Sequence, residues 1–290
     1  MKARHVQNKK HDIAITFWGV RGSIPTPGKQ FNKYGGNTAC VEVRCGDTRL
    51  IFDAGSGIRE LGRSLNREYG DEPLELHLLI SHTHWDHIQG FPFFEPAYMK
   101  KNSLIIYGGH SVATLQDLLI KQMEREYFPI TLSELGANIV FKQLNENPFL
   151  INEVKIYYTF LLHPVLSLGF RVEYRNKVFV YATDNELLDE EGMEDYNKKN
   201  MWNLIRNADV LVADCQYTEE EYANRVGWGH AAIERVVKLC NESGVKNLFA
   251  FHHDFNHSDA DLDAMIESAR EAARAPLRVY GAREHMKVYL

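Results

Sequence analysis

The sequence lacks several features that would assign it to a broad class of protein. Its four cysteines, Cys40, Cys45, Cys215 and Cys240, form no C-x-x-C pair, so we expect reduced, buried thiols rather than a disulfide framework. No apolar run approaches the roughly 20 residues that a membrane span needs. Residues 1–11 are polar, without the apolar segment of a secretory signal, and we expect a flexible tail and a cytoplasmic location.

The charge balance also lacks the basic excess of a nucleic-acid-binding surface. The formal net charge is −6, which argues against an extended nucleic-acid partner. A small anionic substrate is compatible with this charge, because bound dications reverse the local field. The apolar fraction of 44% is that of an ordinary globular protein and provides enough apolar side chains for a full hydrophobic core.

Apolar periodicity predicts strands that alternate with helices, and no Gly-, Ser- or Pro-rich linker divides the chain. The predicted strands are Ile13–Trp18, Ala39–Cys45, Arg49–Phe52, Leu74–Ile80, Leu104–Tyr107, Asn138–Phe141, Val154–Leu161, Leu168–Tyr174, Lys177–Tyr181, Val210–Ala213, Asn247–Phe251, Leu277–Val279 and Met286–Tyr289. The predicted helices are Ile58–Tyr69, Ser111–Tyr127, Glu194–Asn207, Ala231–Ser243 and Ser258–Ala273. This order predicts an α/β protein (α+β in some schemes) with mixed sheets, and one domain over residues 12–290.

The most informative motif is a run of six residues that follows a predicted strand. His82, His84, Asp86 and His87 place three imidazoles and a carboxylate at the end of the apolar segment 76–80. Imidazole suits zinc, and a carboxylate among several imidazoles suits a second cation nearby. The motif therefore predicts two bound metals and hydrolytic chemistry.

This run resembles the H-x-H-x-D-H signature of the metallo-β-lactamase superfamily. Further landmarks of that superfamily follow in order: Asp53 in Phe52-Asp53-Ala54-Gly55, His163 after a strand, Asp184, and His252. The resemblance spans roughly residues 13–290 and implies a four-layer αββα sandwich. The two cations would lie in a cleft at one edge of the sheets.

The resemblance also implies which residues bind each cation. One would be held by His82, His84 and His163, the other by Asp86, His87 and His252, with Asp184 bridging them. His253 competes with His252 for the last position, and we prefer His252 because it directly follows the apolar strand. Asp53 is expected to support the loop backbone or a ligand imidazole.

The ligand set narrows the expected chemistry. His84 stands where diiron redox members of the superfamily have glutamate, and Asp184 stands where true β-lactamases have a thiolate. Hydrolysis on two divalent cations, with zinc preferred and manganese as an alternative, is therefore expected. Thioester hydrolases similar to glyoxalase II share these ligands, so the ligands alone do not separate phosphorus from carbon chemistry.

Two other segments resemble the tRNase Z branch of the superfamily. The Gly-rich stretches at 17–25 and 34–38 would bring backbone close to phosphate oxygens, with Arg21 or Asn37 as added donors. His230, sixteen positions after Asp214, resembles the non-ligand histidine that an acidic residue orients in that branch. We expect Asp214 to hold His230 as a general acid.

Within this branch the chain resembles bacterial and phage cyclic-nucleotide phosphodiesterases, including those that dismantle cyclic pyrimidine nucleotide immune signals. Residues 141–160 are too short and apolar for the tRNA-gripping arm of tRNase Z, and the segment from His252 departs from its His-x-Ser-x-Arg-Tyr ending. The predicted reaction converts a 3′,5′-cyclic nucleotide to the 5′-monophosphate by attack of a hydroxide that bridges the metals. Asp86 would accept a proton, while His230 protonates the leaving oxygen.

Aromatic residues in 91–94, or Trp228, are candidates for stacking on the base, with core packing as the alternative. The alternative functions are an RNA or ribose cyclic-phosphate phosphodiesterase, a thioester hydrolase, and a catalytically silent metal-binding module. A homodimer is implied by resemblance only.

Overall fold

The computed structural model describes residues 11–188 and 194–290, without the side chains of 194–197. The predicted N-terminal tail therefore lies almost wholly outside the described residues. The strands are β1 Ile13–Gly19, β2 Cys40–Cys45, β3 Thr48–Phe52, β4 Glu75–Leu79, β5 Ser103–Gly108, β6 Asn138–Gln143, β7 Phe149–Ile151, β8 Val154–Leu161, β9 Ser167–Tyr174, β10 Lys177–Ala182, β11 Val210–Asp214, β12 Asn247–Phe251, β13 Arg278–Gly281 and β14 Lys287–Tyr289. The α-helices are α1 Ile58–Tyr69, α2 Trp85–Ile88, α3 Val112–Gln122, α4 Glu194–Ile205, α5 Glu219–Tyr222, α6 Ile233–Ser243 and α7 Asp259–Ala272.

The strands form two mixed sheets of seven strands each. The first has the order β14-β1-β2-β3-β4-β5-β6, and the second has the order β13-β12-β11-β10-β9-β8-β7. In the first sheet β3 to β6 run parallel, and in the second β10 to β13 run parallel. Parallel neighbours are possible here because helices provide the crossovers between successive strands.

Three apolar clusters separate four layers. One lies between the sheets and includes Phe17, Phe52, Phe170 and Phe251. A second packs α1 and α3 on the outer face of the first sheet, and a third packs α4, α6 and α7 on the outer face of the second. The predicted αββα sandwich is thus confirmed. No helix in the described ranges is long and apolar enough to cross a membrane.

All the predicted strands are present, with ends that shift by a few residues at most, because each is a compact apolar or β-branched run. Strand β7 was not predicted, since it is only three residues long and lies between Pro148 and Asn152. The second predicted helix, Ser111–Tyr127, was too long, because α3 ends at Gln122. The four-residue helices α2 and α5 are too short to carry a helical period.

The sheet directions bring the carboxyl ends of several strands to one edge of the sandwich. The ends of β3 and β4 meet there from the first sheet, because these strands are parallel. The ends of β10, β11 and β12 meet there from the second sheet for the same reason. Crevices outside the carboxyl ends of strands are where ligands bind in open α/β sheets.

Candidate metal centre

Each predicted ligand outside the six-residue run lies within two residues of the end of a strand that ends at this edge. His163 follows β8, Asp184 follows β10, and His252 follows β12. The backbone at Asp184 and His252 has φ angles of 54° and 58°, and Asp53, which follows β3, has 61°. Left-handed backbone is costly for residues with a Cβ and concentrates at functional sites. These turns aim the side chains back into the space between the sheets.

Among the described residues the polar side chains form three groups of potential ligands. One group consists of Asp184, Asp214, His230 and His252, and the other two hold the predicted ligands and share one residue. In each set the ligand atoms lie within 4.8 Å of one another. The first set contains His82, His84, His163 and Asp184, and the second contains Asp86, His87, His252 and Asp184. The second set is buried throughout, whereas His84 and His163 in the first set reach solvent.

Asp184 stands between the two sets and directs one oxygen to each. Its Oδ1 lies 3.5 Å from His82 Nε2, and its Oδ2 lies 3.1 Å from His87 Nε2 and 3.4 Å from His252 Nε2. Donors around a tetrahedral zinc at its usual bond length are about 3.3 Å apart. The spacing of these atoms therefore matches a shell around a cation.

The protonation pattern of the imidazoles also fits metal ligands. His87 donates Nδ1–H to Asp53 at 2.8 Å, His252 to Gln216 Oε1 at 3.0 Å, and His163 to the Gly229 carbonyl at 3.0 Å. Each partner fixes the hydrogen on Nδ1 and leaves Nε2 free for a metal. Nε2 of His82 is buried without any hydrogen-bond partner. The residues present thus fit two divalent cations.

Burial and neighbouring charges shift the pKa values of these ligands in both directions. Burial lowers the pKa of His87, but the charges of Asp184, Asp86 and Asp53 outweigh it and raise that pKa, so a cation must displace a proton there. Burial lowers the pKa of His82, His84 and His163, which favours the neutral imidazoles that bind metals. Burial raises the pKa of Asp184, but the charges of the neighbouring histidines outweigh it and hold that pKa well below its usual value. The bridging carboxylate is therefore ionised.

Asp53 supports the site from beneath, as expected. Its Oδ2 accepts hydrogen bonds from His87 and, at 2.8 Å, from Tyr181 Oη, while its Oδ1 accepts the backbone N–H of Ser81 at 2.7 Å. The side chain is fully buried. It ties the start of the six-residue run to a ligand imidazole of the same run.

The loop after β1 supports the second set by backbone contacts that the sequence did not reveal. The N–H of Ser23, at φ 65°, donates to Asp86 Oδ2 at 2.8 Å. A Cβ on Gly22 would lie 2.5 Å from the His252 ring, so this position has no room for a side chain. Gln216, also unpredicted, bridges from His252 to Asp254.

Glu186 is a second unpredicted residue, and it organises the loop of residues 225–230, here called the Trp228 loop. Its Oε1 accepts from Gly227 N–H at 2.7 Å and Tyr222 Oη at 2.6 Å, and its Oε2 accepts from Gly229 N–H at 3.0 Å. The Gly229 carbonyl in turn receives His163 Nδ1–H. A signal existed in the sequence, since both Glu186 and Gln216 lie two positions after an acid at a strand end.

His230 and Asp214, here called the proton-donor pair after the role proposed for them below, are in contact. His230 donates Nδ1–H to Asp214 Oδ2 at 2.7 Å, and its ring stacks on that of His252 with centroids 5.0 Å apart. Burial lowers the pKa of His230, but the charge and hydrogen bond of Asp214 outweigh it and raise that pKa to about 9. The pair thus presents a protonated imidazole beside both ligand sets.

The prediction that Arg21 or Asn37 donates to a phosphate was wrong. Arg21 is fully buried and donates to the carbonyls of Gly35, Asp254 and His257, so it fastens loops together instead of facing a substrate. Asn37 donates to Glu284 through its backbone and its side chain. Both residues are structural because the Gly-rich stretches fold onto each other.

The histidine that competed for the last ligand position points elsewhere. His253 donates Nε2–H to the Ala282 carbonyl at 2.9 Å, and burial lowers its pKa to about 3. Its neighbour His252 belongs to the second set. Among the aromatic candidates, Phe91 and Phe94 are core residues, whereas Trp228 is exposed.

Residues 48–253 match the family described as "Beta-lactamase superfamily domain". The chain therefore belongs to the metallo-β-lactamase superfamily, and it is a metal-dependent hydrolase. It is similar to the Ribonuclease Z of Thermoplasma acidophilum, with 23% identity over 90% of this chain and 92% of that protein. The Ribonuclease Z of Oceanobacillus iheyensis is 22% identical over 67% of this chain and 76% of its own length.

A solved structure of the same fold is the metallo-β-lactamase fold protein YhfI from Bacillus subtilis. It superimposes with a TM-score of 0.71 and 18% identity, covering 96% of this chain and 99% of that one. This likeness agrees with the fold. The family match confirms superfamily membership, and the sequence relatives agree with the predicted tRNase Z-like branch.

Proposed function

We propose that this protein is a phosphodiesterase that hydrolyses 3′,5′-cyclic nucleotides to 5′-monophosphates with two divalent cations. The observation that carries the proposal is the proton-donor pair, placed beside both ligand sets with a 2.7 Å hydrogen bond between its members. Because His230 donates its Nδ1–H to Asp214, the Nε2–H of the imidazolium is left to act on a substrate.

The ligand residues and the proton-donor pair have separate tasks in the proposed reaction. When bound, the cations activate water and neutralise charge on a phosphoryl group. Asp184 and the two sets of ligands would hold those cations, and Asp86 would accept the proton of the attacking water. As the bond from phosphorus to O3′ breaks, His230 transfers its Nε2 proton to O3′, and Asp214 keeps the ring oriented.

The proton donor favours an ester of an alcohol over a thioester. A thiol has a pKa of about 8.5 and leaves as a thiolate without help. A ribose alkoxide is a far more basic leaving group and needs a proton as it departs. The contact between His230 and Asp214 supports phosphodiester cleavage over thioester cleavage for this reason.

The short connections between β6, β7 and β8 support a small substrate. Strands β6, β7 and β8 follow one another with connections of only residues 144–148 and 152–153, which leaves no protruding arm between them. The net charge of −6 points the same way.

Cleavage of RNA is the second candidate, and the specific observation in its favour is the pair of relatives named Ribonuclease Z. Both candidates use the same centre and the same proton donor. The two candidate reactions differ only in the part of the substrate that lies beside the phosphate, which is a single nucleoside in one and an RNA chain in the other.

A substrate panel separates these functions. The metal-loaded protein is incubated with cyclic mono- and dinucleotides, bis-p-nitrophenyl phosphate, precursor tRNA and a glutathione thioester, with Asp184→Asn as the inactive control. The proposal expects a 5′-monophosphate from a cyclic nucleotide and no activity in the control. Turnover of precursor tRNA alone would select the RNA candidate, and turnover of the thioester alone would reject both.

The metal identity and the assembly belong to the same proposal. We expect zinc, because most of the donors are imidazoles, with manganese as the alternative. Elemental analysis of purified protein should find about two equivalents of metal for each chain. Sedimentation velocity tests the homodimer.

A further inference from the structure

The proposed function leaves two large exposed side chains at the centre without a task. Trp85 is 80% exposed and Trp228 is 60% exposed. Large apolar side chains exposed at the rim of a polar site mark a surface that binds something. Their positions relative to the ligand sets indicate what that is.

Both tryptophans are chain neighbours of residues at the part of the centre that is open to solvent. Trp85 directly follows His84, whose Nδ1 lies 3.2 Å from His163 Nε2. On its other side, His163 Nδ1 lies 3.0 Å from the carbonyl of Gly229, and Trp228 directly precedes that glycine. The backbones of the two tryptophans therefore adjoin the first set, which is the set that reaches solvent.

The backbone that presents Trp228 is fixed from below. Gly227 and Gly229 have φ angles of 87° and 85°, and both donate their N–H groups to the buried carboxylate of Glu186. The N–H of Trp228 itself donates to the Arg225 carbonyl at 3.1 Å. A rigid backbone that holds an indole towards solvent is preorganised to bind a flat group at little entropic cost.

We propose that Trp228 is the stacking platform for the nucleobase of the substrate, with Trp85 on the opposite side of the opening. This inference rests on the proposed function, since the cations would take the phosphate and leave the base to reach the rim. Aromatic side chains stack on every base, because every base has a π-face. Trp228 would then contribute affinity for nucleotides as a class more than preference for one base.

The test compares ligands that differ only in the base. A 5′-nucleoside monophosphate and ribose 5-phosphate are used as inhibitors of bis-p-nitrophenyl phosphate hydrolysis, and each is also titrated against intrinsic tryptophan fluorescence. In Trp228→Ala, binding of the nucleotide should weaken by roughly 5- to 150-fold, the usual worth of one stacked base. Binding of ribose 5-phosphate should stay unchanged, and Trp228→Phe should restore most of the loss.

Controls make the result specific. Trp202 lies on α4, in the outer helical layer, and Trp202→Phe should change neither affinity. Trp85→Ala is the second variant and should weaken the nucleotide alone. Equal affinities of wild-type and Trp228→Ala protein for the nucleotide would overturn the inference, even if the protein cleaves cyclic nucleotides.

Failure of the proposed function looks different. If no phosphodiester is cleaved, the fluorescence titration still reports whether the base contacts Trp228. The other occupant of this surface is a second copy of the chain. Conversion of a dimer to a monomer by Trp228→Ala, with unchanged nucleotide affinity, would assign the indole to that interface and overturn the inference.

Discussion

Replacing Glu186 by glutamine is expected to loosen the Trp228 loop and weaken metal binding at the first set. The two carboxylate oxygens of Glu186 accept three hydrogen bonds, including one from each of Gly227 and Gly229. Whichever oxygen becomes an NH2 group, one glycine N–H then faces another donor. Losing a buried hydrogen bond to a charged group costs about 1.5–3 kcal/mol of the free energy of unfolding.

The effect should reach the metal through His163. The carbonyl of Gly229 holds His163 Nδ1–H, and loss of such a supporting partner lowers metal affinity or activity by about 10- to 100-fold. Urea denaturation measures the stability change, and competition with a chelator measures the metal affinity. Turnover should fall as well, because the same loop ends in His230.

Tyr222→Phe is the matched control for this prediction. The Tyr222 hydroxyl donates to Glu186 Oε1 at 2.6 Å, so this substitution removes one donor from the same carboxylate. It creates no clash between donors, because it only deletes the hydroxyl group. We expect a stability loss of about 1 kcal/mol and nearly unchanged metal affinity. The role assigned to the Trp228 loop would be refuted if Glu186→Gln bound two metals with wild-type affinity and also kept wild-type turnover.

Three further predictions concern the centre. His230→Ala should retain both metals and lose more than about a hundredfold in turnover; an unchanged rate would remove its role as acid. His252→Asn should lose metal, whereas His253→Asn should keep two equivalents by elemental analysis, and the reverse result would exchange their assignments. Removal of the metals should lower the unfolding temperature, because a ligand at 100 times its Kd stabilises by about 2.7 kcal/mol; identical thermal melts with and without metal would contradict the site.

The sequence predicted most of the fold because the local signals were strong. Strands such as Val154–Leu161 and Asn247–Phe251 are short apolar runs whose bounds need no tertiary information. Strand β7 was missed for the opposite reason, since three residues are paired only because β8 lies beside them. The order of strands within the two sheets follows from packing, which periodicity does not encode.

Arg21 shows the limit of reasoning from residue type. A guanidinium in a Gly-rich stretch suggests an anion site. The sequence specifies the charge of the side chain but not its direction, so this prediction could fail. In the folded protein that group is buried and donates to three carbonyls. Glu186 and Gln216 illustrate the converse, because ordinary polar residues acquire their importance only from what lies next to them.

The sequence by itself determined the type of centre. The run from His82 to His87 places four side chains of the metal-ligand type within six residues, and this density of imidazole and carboxylate favours a cation site. Tertiary structure decided which distant residues complete it. His163, Asp184 and His252 meet that run because parallel strands of two sheets end at one edge, a geometry that exists only after the sheets have packed.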